Sequence, residues 1–335
     1  GTDLKGIAIK GNALVGDKPA GELALTVASL AQGANALSQL ALNLSGDISQ
    51  HLLTLTMKGD PVAANLKLGG GVRGDHWRGA LSELQLKTPL RRWNLSSPWA
   101  LDLDLPRQRL AMGDLCLGSQ GASLCVKGSQ VSAAQGTLEF ALSEFDLKRL
   151  RPWLPDNFRW QAMLSADGHA SWRGNQPTLH ANVRTTPGTF VADGLKTDYQ
   201  RLELGVDFER QQAAIRLDFV SKQIGTIDTD LLIKDPSGRG QLSGQLKFDD
   251  LKLTTFAPLI PEVRSLQGII SADARFDGTL AAPLLFGQLN LLDGEVQTHS
   301  DMVTLSKLVT RLKIEGNRAE LDGTMLVGKG PLVLG

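Results

Sequence analysis

The 335-residue sequence predicts an all-β fold: a long, mainly antiparallel sheet interrupted by two short proline-containing helices. Three observations carry this. Apolar and polar residues alternate strictly in run after run, the period of a strand with one face buried. Turn signals separate the runs and, where they come close together, lie about 10 to 14 residues apart, the spacing of antiparallel hairpins. Two helix-like segments recur at a fixed interval and carry the strand parity with them, which marks an internal repeat.

In chain order, Gly11-Asn12, Gly46-Asp47 and Gly59-Asp60-Pro61 are the first turn signals. "GGGVRG" (69 to 74) satisfies G-x-G-x-x-G, but strand-like sequence follows it, so no helix N-terminus would receive a phosphate and a glycine-rich turn is expected. The RGD triplet beginning at Arg73 falls in that same turn. Trp99, Leu101, Leu103 and Leu105 then alternate with Ala100, Asp102 and Asp104. In "CLGSQGASLC" a two-residue turn at Gln120-Gly121 would pair Ser119 with Ala122. Stepping outward, it pairs Cys116 with Cys125 at a non-hydrogen-bonded site, where Cα atoms lie about 4.5 Å apart. That is the short end of what a disulfide tolerates, and a cross-strand disulfide implies an oxidising place such as the bacterial periplasm. The alternative is two unpaired core cysteines.

"EFDLKRLRPWLPDNFRWQ" (144 to 161) reads as a short helix starting near Asp146 and ended by prolines. After it, Leu202, Leu204, Val206 and Phe208 alternate with Glu203, Gly205 and Asp207, and Ile215, Leu217 and Phe219 do the same. Beyond a turn at Asp235-Pro236-Ser237-Gly238 come Leu242, Leu246 and Phe248, then a second helix-like segment, "DDLKLTTFAPLIPEVRSLQ" (249 to 267), starting near Asp249 or Asp250. "FDGTLAAPLLFGQLNLLDGEVQTHS" (276 to 300) is a strand, a turn and a strand, with Leu289 and Leu291 on one face and Gln288 and Asn290 on the other. A turn signal at Asp293-Gly294 and the alternation of Leu312 and Ile314 around Lys313 close the series. Shifting the sequence by 106 places Leu147, Pro152, Pro155, Gln161, Pro177, Leu179, Gly188, Leu202 and Glu209 on identical residues, so residues 145–229 repeat as 251–335, with a slip of two near Gly174 and Gly278. No linker interrupts the texture, and residues 1–335 are expected to form one continuous β segment without independent domains.

Composition excludes several functions. Lys plus Arg (35) equal Asp plus Glu (35), with no long run of like charge, which argues against a nucleic-acid binder that must displace phosphate counterions. Polar residues break every apolar stretch well short of the roughly 18 to 20 needed for a membrane-spanning helix. The chain starts and stops mid-pattern without a signal peptide, so a piece of a longer protein is expected. His51, His76, His169, His180 and His299 are scattered without a carboxylate or Ser partner at a recognisable spacing, leaving no nucleophile or general base to name. No enzyme, cofactor or metal site is expected. The six Trp lie mainly at segment ends and in the helix-like segments, where packing explains them.

A sheet with one apolar face must cover it, and a second sheet or barrel closure are the default solutions. Against them, about 25 strands at roughly 4.8 Å each would make a sheet over 100 Å long, and open sheets rarely pass about 10 strands unless they curl or split. Continuous curling gives a trough lined by Leu, Val, Ile and Phe. From the residues alone, sandwich and trough both stay open.

The order "RRWNLSSPWALDLDL", "CLGSQGASLC", "LKRLRPWLPDN", "PTLHANVRTTPGTF" and "DGTLAAPLLFGQLNLLDGEV" resembles the TamB family, inner-membrane subunits of the translocation and assembly module of Gram-negative bacteria. The resemblance covers essentially the whole chain and implies an interior to C-terminal position. Its most family-like pieces are the Cys pair and Pro283, Leu285, Gly287 and Leu289; in the earlier copy Ala181 replaces the glycine. The family is similar to AsmA-like and chorein-type bridge proteins. The resemblance implies a taco-like curved sheet with an apolar groove, a periplasmic position with membranes at both ends of the full-length protein, phospholipid movement toward the outer membrane, and the outer-membrane barrel TamA as partner. The expected groove lining is Leu101, Leu103, Leu202, Leu204, Val206, Phe208, Ile215, Leu217, Phe219, Leu242, Leu246, Phe248, Leu289, Leu291, Leu312 and Ile314, with Cys116 and Cys125 as a structural disulfide. Two other functions compete with a lipid conduit. One is a scaffold that assists barrel or autotransporter assembly by strand addition. The other is a carbohydrate-active β-helix, which would need stacked polar ladders and paired carboxylates on one face.

Overall fold

The computed structural model describes residues 2–15, 20–32, 35–192, 195–260, 263–298, 304–327 and 330–334. Nearly all of them are strand, and every described strand pair is antiparallel. The chain divides into two compact units, residues 1–145 with 167–175, and residues 146–166 with 176–335.

The first unit is a meander of β1 (Thr2–Leu14), β2 (Ala20–Gln32), β3 (Asn35–Asp47), β4 (His51–Asp60), β5 (Ala63–Arg73), β6 (His76–Thr88), β7 (Arg91–Leu95), β8 (Trp99–Asp104), β9 (Arg109–Ser119), β10 (Ala122–Val131) and β11 (Gln135–Asp146). Alternation fixes the register: Ile9, Leu25, Leu42, Leu55, Leu66 and Leu84 stand opposite one another in successive strands, so a slip of one residue would invert a whole face. Where "LSEL" breaks the alternation, a bulge at Ser82 takes up the extra residue and returns Leu81 and Leu84 to the same face. Strands β7 and β8 act as one broken strand between β6 and β9, interrupted around Pro98, which has no N–H for the ladder. The Trp77 ring lies over Gly70 and Gly79, where a Cβ would come within 2.4 and 2.5 Å of ring atoms, so only glycine fits beneath it. The β9–β10 turn has Gln120 and Gly121 both at positive φ (47° and 92°), the conformation of a tight two-residue hairpin. It sets Cys116 opposite Cys125, and the two form a disulfide with Cα atoms 4.1 Å apart.

Two expected turns lie elsewhere. Gly11-Asn12 is inside β1, and of the glycine-rich stretch only Gly74-Asp75 turns, Gly69 to Arg73 belonging to β5. A pair of glycines can serve a strand as well as a turn when a neighbouring ring needs the space.

In the second unit a 3-10 helix (Leu147–Trp153) is capped by Asp146, whose carboxylate accepts from the Lys148 N–H at 3.0 Å, and Leu147 is fully buried. There follow β12 (Phe158–Gln161), β13 (Met163–Arg173), which ends in the first unit, β14 (Gln176–Thr185), β15 (Gly188–Ala192), β16 (Leu195–Tyr199), β17 (Arg201–Glu209), β18 (Gln212–Ser221), β19 (Gly225–Lys234) and β20 (Gln241–Lys252). After a second 3-10 helix (Leu253–Leu259) come β21 (Val263–Thr279), β22 (Ala282–Thr298), β23 (Thr304–Glu315), β24 (Arg318–Val327) and β25 (Gly330–Leu334). Strands β14 and β17 to β25 form the meander, while β12, β15 and β16 make a separate three-stranded sheet. The second helix starts from Lys252 without a side-chain cap, so Asp249 and Asp250 belong to β20 instead. Asp293-Gly294, expected as a turn, is a bulge inside β22.

Element boundaries recur at an interval of 106: the helices begin at Leu147 and Leu253, β14 and β22 at Gln176 and Ala282, β18 and β24 at Gln212 and Arg318. The turns at Gly174-Asn175 and Leu280-Ala281 keep the same interval, so the expected slip of two does not occur.

The chain exposes 20767 Å². A globular protein of its 35.9 kDa would expose about 13,000 Å², and two separate globular bodies of half that mass about 16,000 Å². The excess is the surface of sheets that are one layer thick over most of their extent.

Candidate functional site

On the second unit the register stacks apolar side chains into rows that cross the strands. Val183, Leu204, Leu217, Thr229, Leu246 and Ala274 form one row; Leu202, Phe219, Ile227, Phe248, Ala272, Leu289 and Leu312 form the next. Val206 with Ile215, and Phe208 with the Ala213–Ile233–Leu242 line, extend the same face, and Ile314 and Leu291 join it at its far strands. Every groove residue expected in this unit is therefore on one face. Leu101 and Leu103 lie on the apolar face of the first unit, opposite Gly79 and Trp77 on one side and Met112 and Leu110 on the other.

Most of these side chains are half-buried, the state of an apolar layer with neighbours in its own sheet and no second layer above it. Three are not on an open face. Phe219 (7% exposed) and Leu202 are packed under the three-stranded sheet, and Leu242 is buried at 8%. The cover consists of aromatic rings: Phe190 and Tyr199 meet Phe219 at centroid distances of 6.3 and 5.7 Å, Phe158 stacks on Phe190 at 6.2 Å, and the Trp160 indole donates to the Tyr199 hydroxyl at 2.9 Å. Sequence reasoning missed this small sheet. Its signal was Pro187-Gly188 breaking an otherwise continuous run, with aromatic residues gathered on both sides.

The opposite face is an ionic lattice. Arg184, Glu203, Asp218, Asp228, Lys247, Asp273, Gln288, Lys313 and Glu320 stand opposite one another across successive strands. Arg201 pairs with Asp218, Arg216 with Asp207 at 3.0 Å, and Lys247 with Asp249 at 3.0 Å. The Asp218 bond raises Arg201 above its ordinary value, and the Asp249 bond does the same for Lys247. Asp228 is pushed up, first by desolvation and then by the facing Asp218 carboxylate. A cleft of about 370 Å³ crosses this face over Gly205, between Arg184, Glu203, Arg216 and Asp230.

Two histidines that looked partnerless have carboxylates across the sheet. His76 Nδ1 lies 2.6 Å from Asp102, and His180 Nδ1 lies 2.6 Å from Asp207. Sequence separations of 26 and 27 residues hide such pairs until the register is known. Each Asp also holds an arginine, Arg78 and Arg216 respectively, so each pair is part of an ion-paired polar face, the first in the first unit and the second in the lattice of the second unit. The His76 bond, then the Arg78 bond, hold Asp102 below the usual carboxylate range. His51 accepts the Trp77 indole N–H on Nε2 at 2.8 Å, which puts its own proton on Nδ1, donated to the Asp47 carbonyl at 3.0 Å. His299 lies outside the described residues. Among the described residues no group of three or more His, Cys, Asp or Glu could hold a metal ion, and no helix is long and apolar enough to cross a membrane.

The family model described as "TamB, N-terminal domain" matches residues 1–291. The "Translocation and assembly module subunit TamB" of Haemophilus influenzae (strain ATCC 51907 / DSM 11121 / KW20 / Rd) is 26% identical over 334 residues, 96% of this chain and 25% of that protein. The chain thus spans about a quarter of the length of this relative. No solved structure matches.

Proposed function

Because the chain belongs to the TamB N-terminal domain family, we propose that it is a segment of a non-enzymatic lipid conduit within a translocation and assembly module. The observation that carries this reading is the single-layer sheet of the second unit, with one half-buried apolar face and an ionic lattice on the other. Acyl chains laid on the apolar face leave water, each buried CH₂ contributing about 0.8 kcal/mol, while headgroups stay solvated. The Cys116–Cys125 disulfide suits an oxidising compartment, in this reading the periplasm of a Gram-negative bacterium. The full-length protein would be anchored in the inner membrane and work with the outer-membrane barrel TamA.

Parity gives the test. In the full-length protein a photo-crosslinking residue at position 204 should trap phospholipid, and one at 203, on the ionic face, should not. Leu204→Asp and Leu217→Asp, on a face that keeps contact with water, should leave a protease-resistant protein that no longer passes lipid. Phe219→Asp, under the aromatic cover, should cost several kcal/mol and unfold that region. Glu203→Leu should be nearly silent. Equal trapping at 203 and 204, or lipid passage through a folded Leu204→Asp protein, would count against the conduit.

A further inference from the structure

The three-stranded sheet of β12, β15 and β16 occupies the apolar face where the lipid reading needs an open surface. We propose that the Leu202–Phe219–Ile227 stretch beneath it is a second acyl-chain site, and that the small sheet is a hinged cover which opens to admit lipid; the inference rests on the conduit reading above.

Three features carry it. The cover joins the meander through short breaks at Ala162, at Thr186-Pro187 and at Gln200, and Pro187 has no N–H with which to continue the ladder from β14 into β15. In the second copy, 106 residues on, the corresponding strands do not break. β21 and β22 run for 17 residues each and cross the equivalent positions on bulges, between Gln267 and Ile269 and between Leu291 and Gly294. The repeat therefore allows this tip to continue the main sheet, and its separation in the first copy is a property of the hinges.

The second feature is how the cover is held. Besides the rings on Phe219, Thr185 donates to the Tyr199 hydroxyl at 3.0 Å, Ser221 Oγ to the Asp198 carbonyl at 2.7 Å, and the Asp198 N–H to the Gln223 side chain at 2.6 Å. These few polar bonds close a surface that is otherwise apolar on apolar. The third is a hydroxyl that opposes closure. Thr197, fully buried on the cover two residues from Tyr199, has no hydrogen-bond partner for its Oγ1 among the described residues. An unsatisfied buried hydroxyl costs free energy that opening to water returns. The closed state is held by Tyr199 and resisted by Thr197, which is how a cover poised to open would be built.

The experiment uses the full-length protein in cells, with a photo-reactive residue at Leu202, under the cover, or at Phe208, on the open face three rows away, and phospholipid capture as the readout. Capture at 202 should be weak in the parent protein. Tyr199→Phe, which keeps the ring and removes the bonds to Thr185 and Trp160, should raise it. Thr197→Val, which keeps the shape and removes the orphan hydroxyl, should lower it by about fivefold and increase protease resistance. Capture at 208 should stay constant throughout. No capture at 208 would defeat the conduit reading itself. With capture at 208 intact, capture at 202 that equals it in the parent, or that neither variant moves, would overturn the cover.

Discussion

Asp228 shows how one residue sets a pH response on this lattice. Its carboxyl faces Asp218 across β18 and β19, with Arg201 and Lys247 as the nearest cations, and desolvation and Asp218 together raise it above its ordinary value. A raised carboxyl favours the folded state most below its unfolded value, and that contribution fades as pH rises through the raised one. At neutral pH the facing carboxylates oppose folding. Asp228→Asn should therefore raise the melting temperature at pH 7, on the order of 1 °C for so exposed a site. The gain should vanish near pH 3, and thermal scans at the two pH values decide it. Asp102 has the opposite sign: lowered by His76 and Arg78, it supports folding above the usual carboxylate range and loses that contribution as acid protonates it.

Hairpins were the most legible elements, because a two-residue turn fixes every pair outward from it. The β9–β10 register follows from "CLGSQGASLC" alone, down to the pairing of Cys116 with Cys125. The disulfide closes a short loop, so replacing both cysteines by serine should cost about 2 to 3 kcal/mol and leave the fold intact, as read from denaturant midpoints. Alkylation of the parent protein under denaturing, non-reducing conditions should leave both thiols unlabelled. Face assignment was equally legible, since Leu202 to Phe208 and Ile215 to Phe219 alternate without interruption. What alternation does not encode is whether a strand carries on or breaks. Gly70 reads as a turn residue until the Trp77 ring claims the space above it, and Asp293-Gly294 reads as a turn where it is a bulge. Cross-strand partners such as His76 and Asp102 depend on register over a whole strand pair, and the aromatic cover depends on contacts between segments far apart in sequence. Neither has a local signature.

For the whole molecule, the single-layer arrangement explains why so few apolar residues are fully buried in a chain that is 42% hydrophobic: each strand shields its neighbours laterally, and little lies on top. Stability is then gained strand by strand, as in other repeating architectures, rather than from one central core. The interval of 106 turns this into a statement about length. Removing residues 147–252 would join Asp146 directly to Leu253, giving the second 3-10 helix the aspartate cap it lacks and carrying each following strand onto a position of the same facing. The shortened protein should fold with six fewer main-sheet strands and with circular dichroism of unchanged shape. A sheet of this kind lengthens or shortens in whole modules, so duplicating or deleting a stretch of gene changes its extent by a fixed step of strands while each strand keeps its facing.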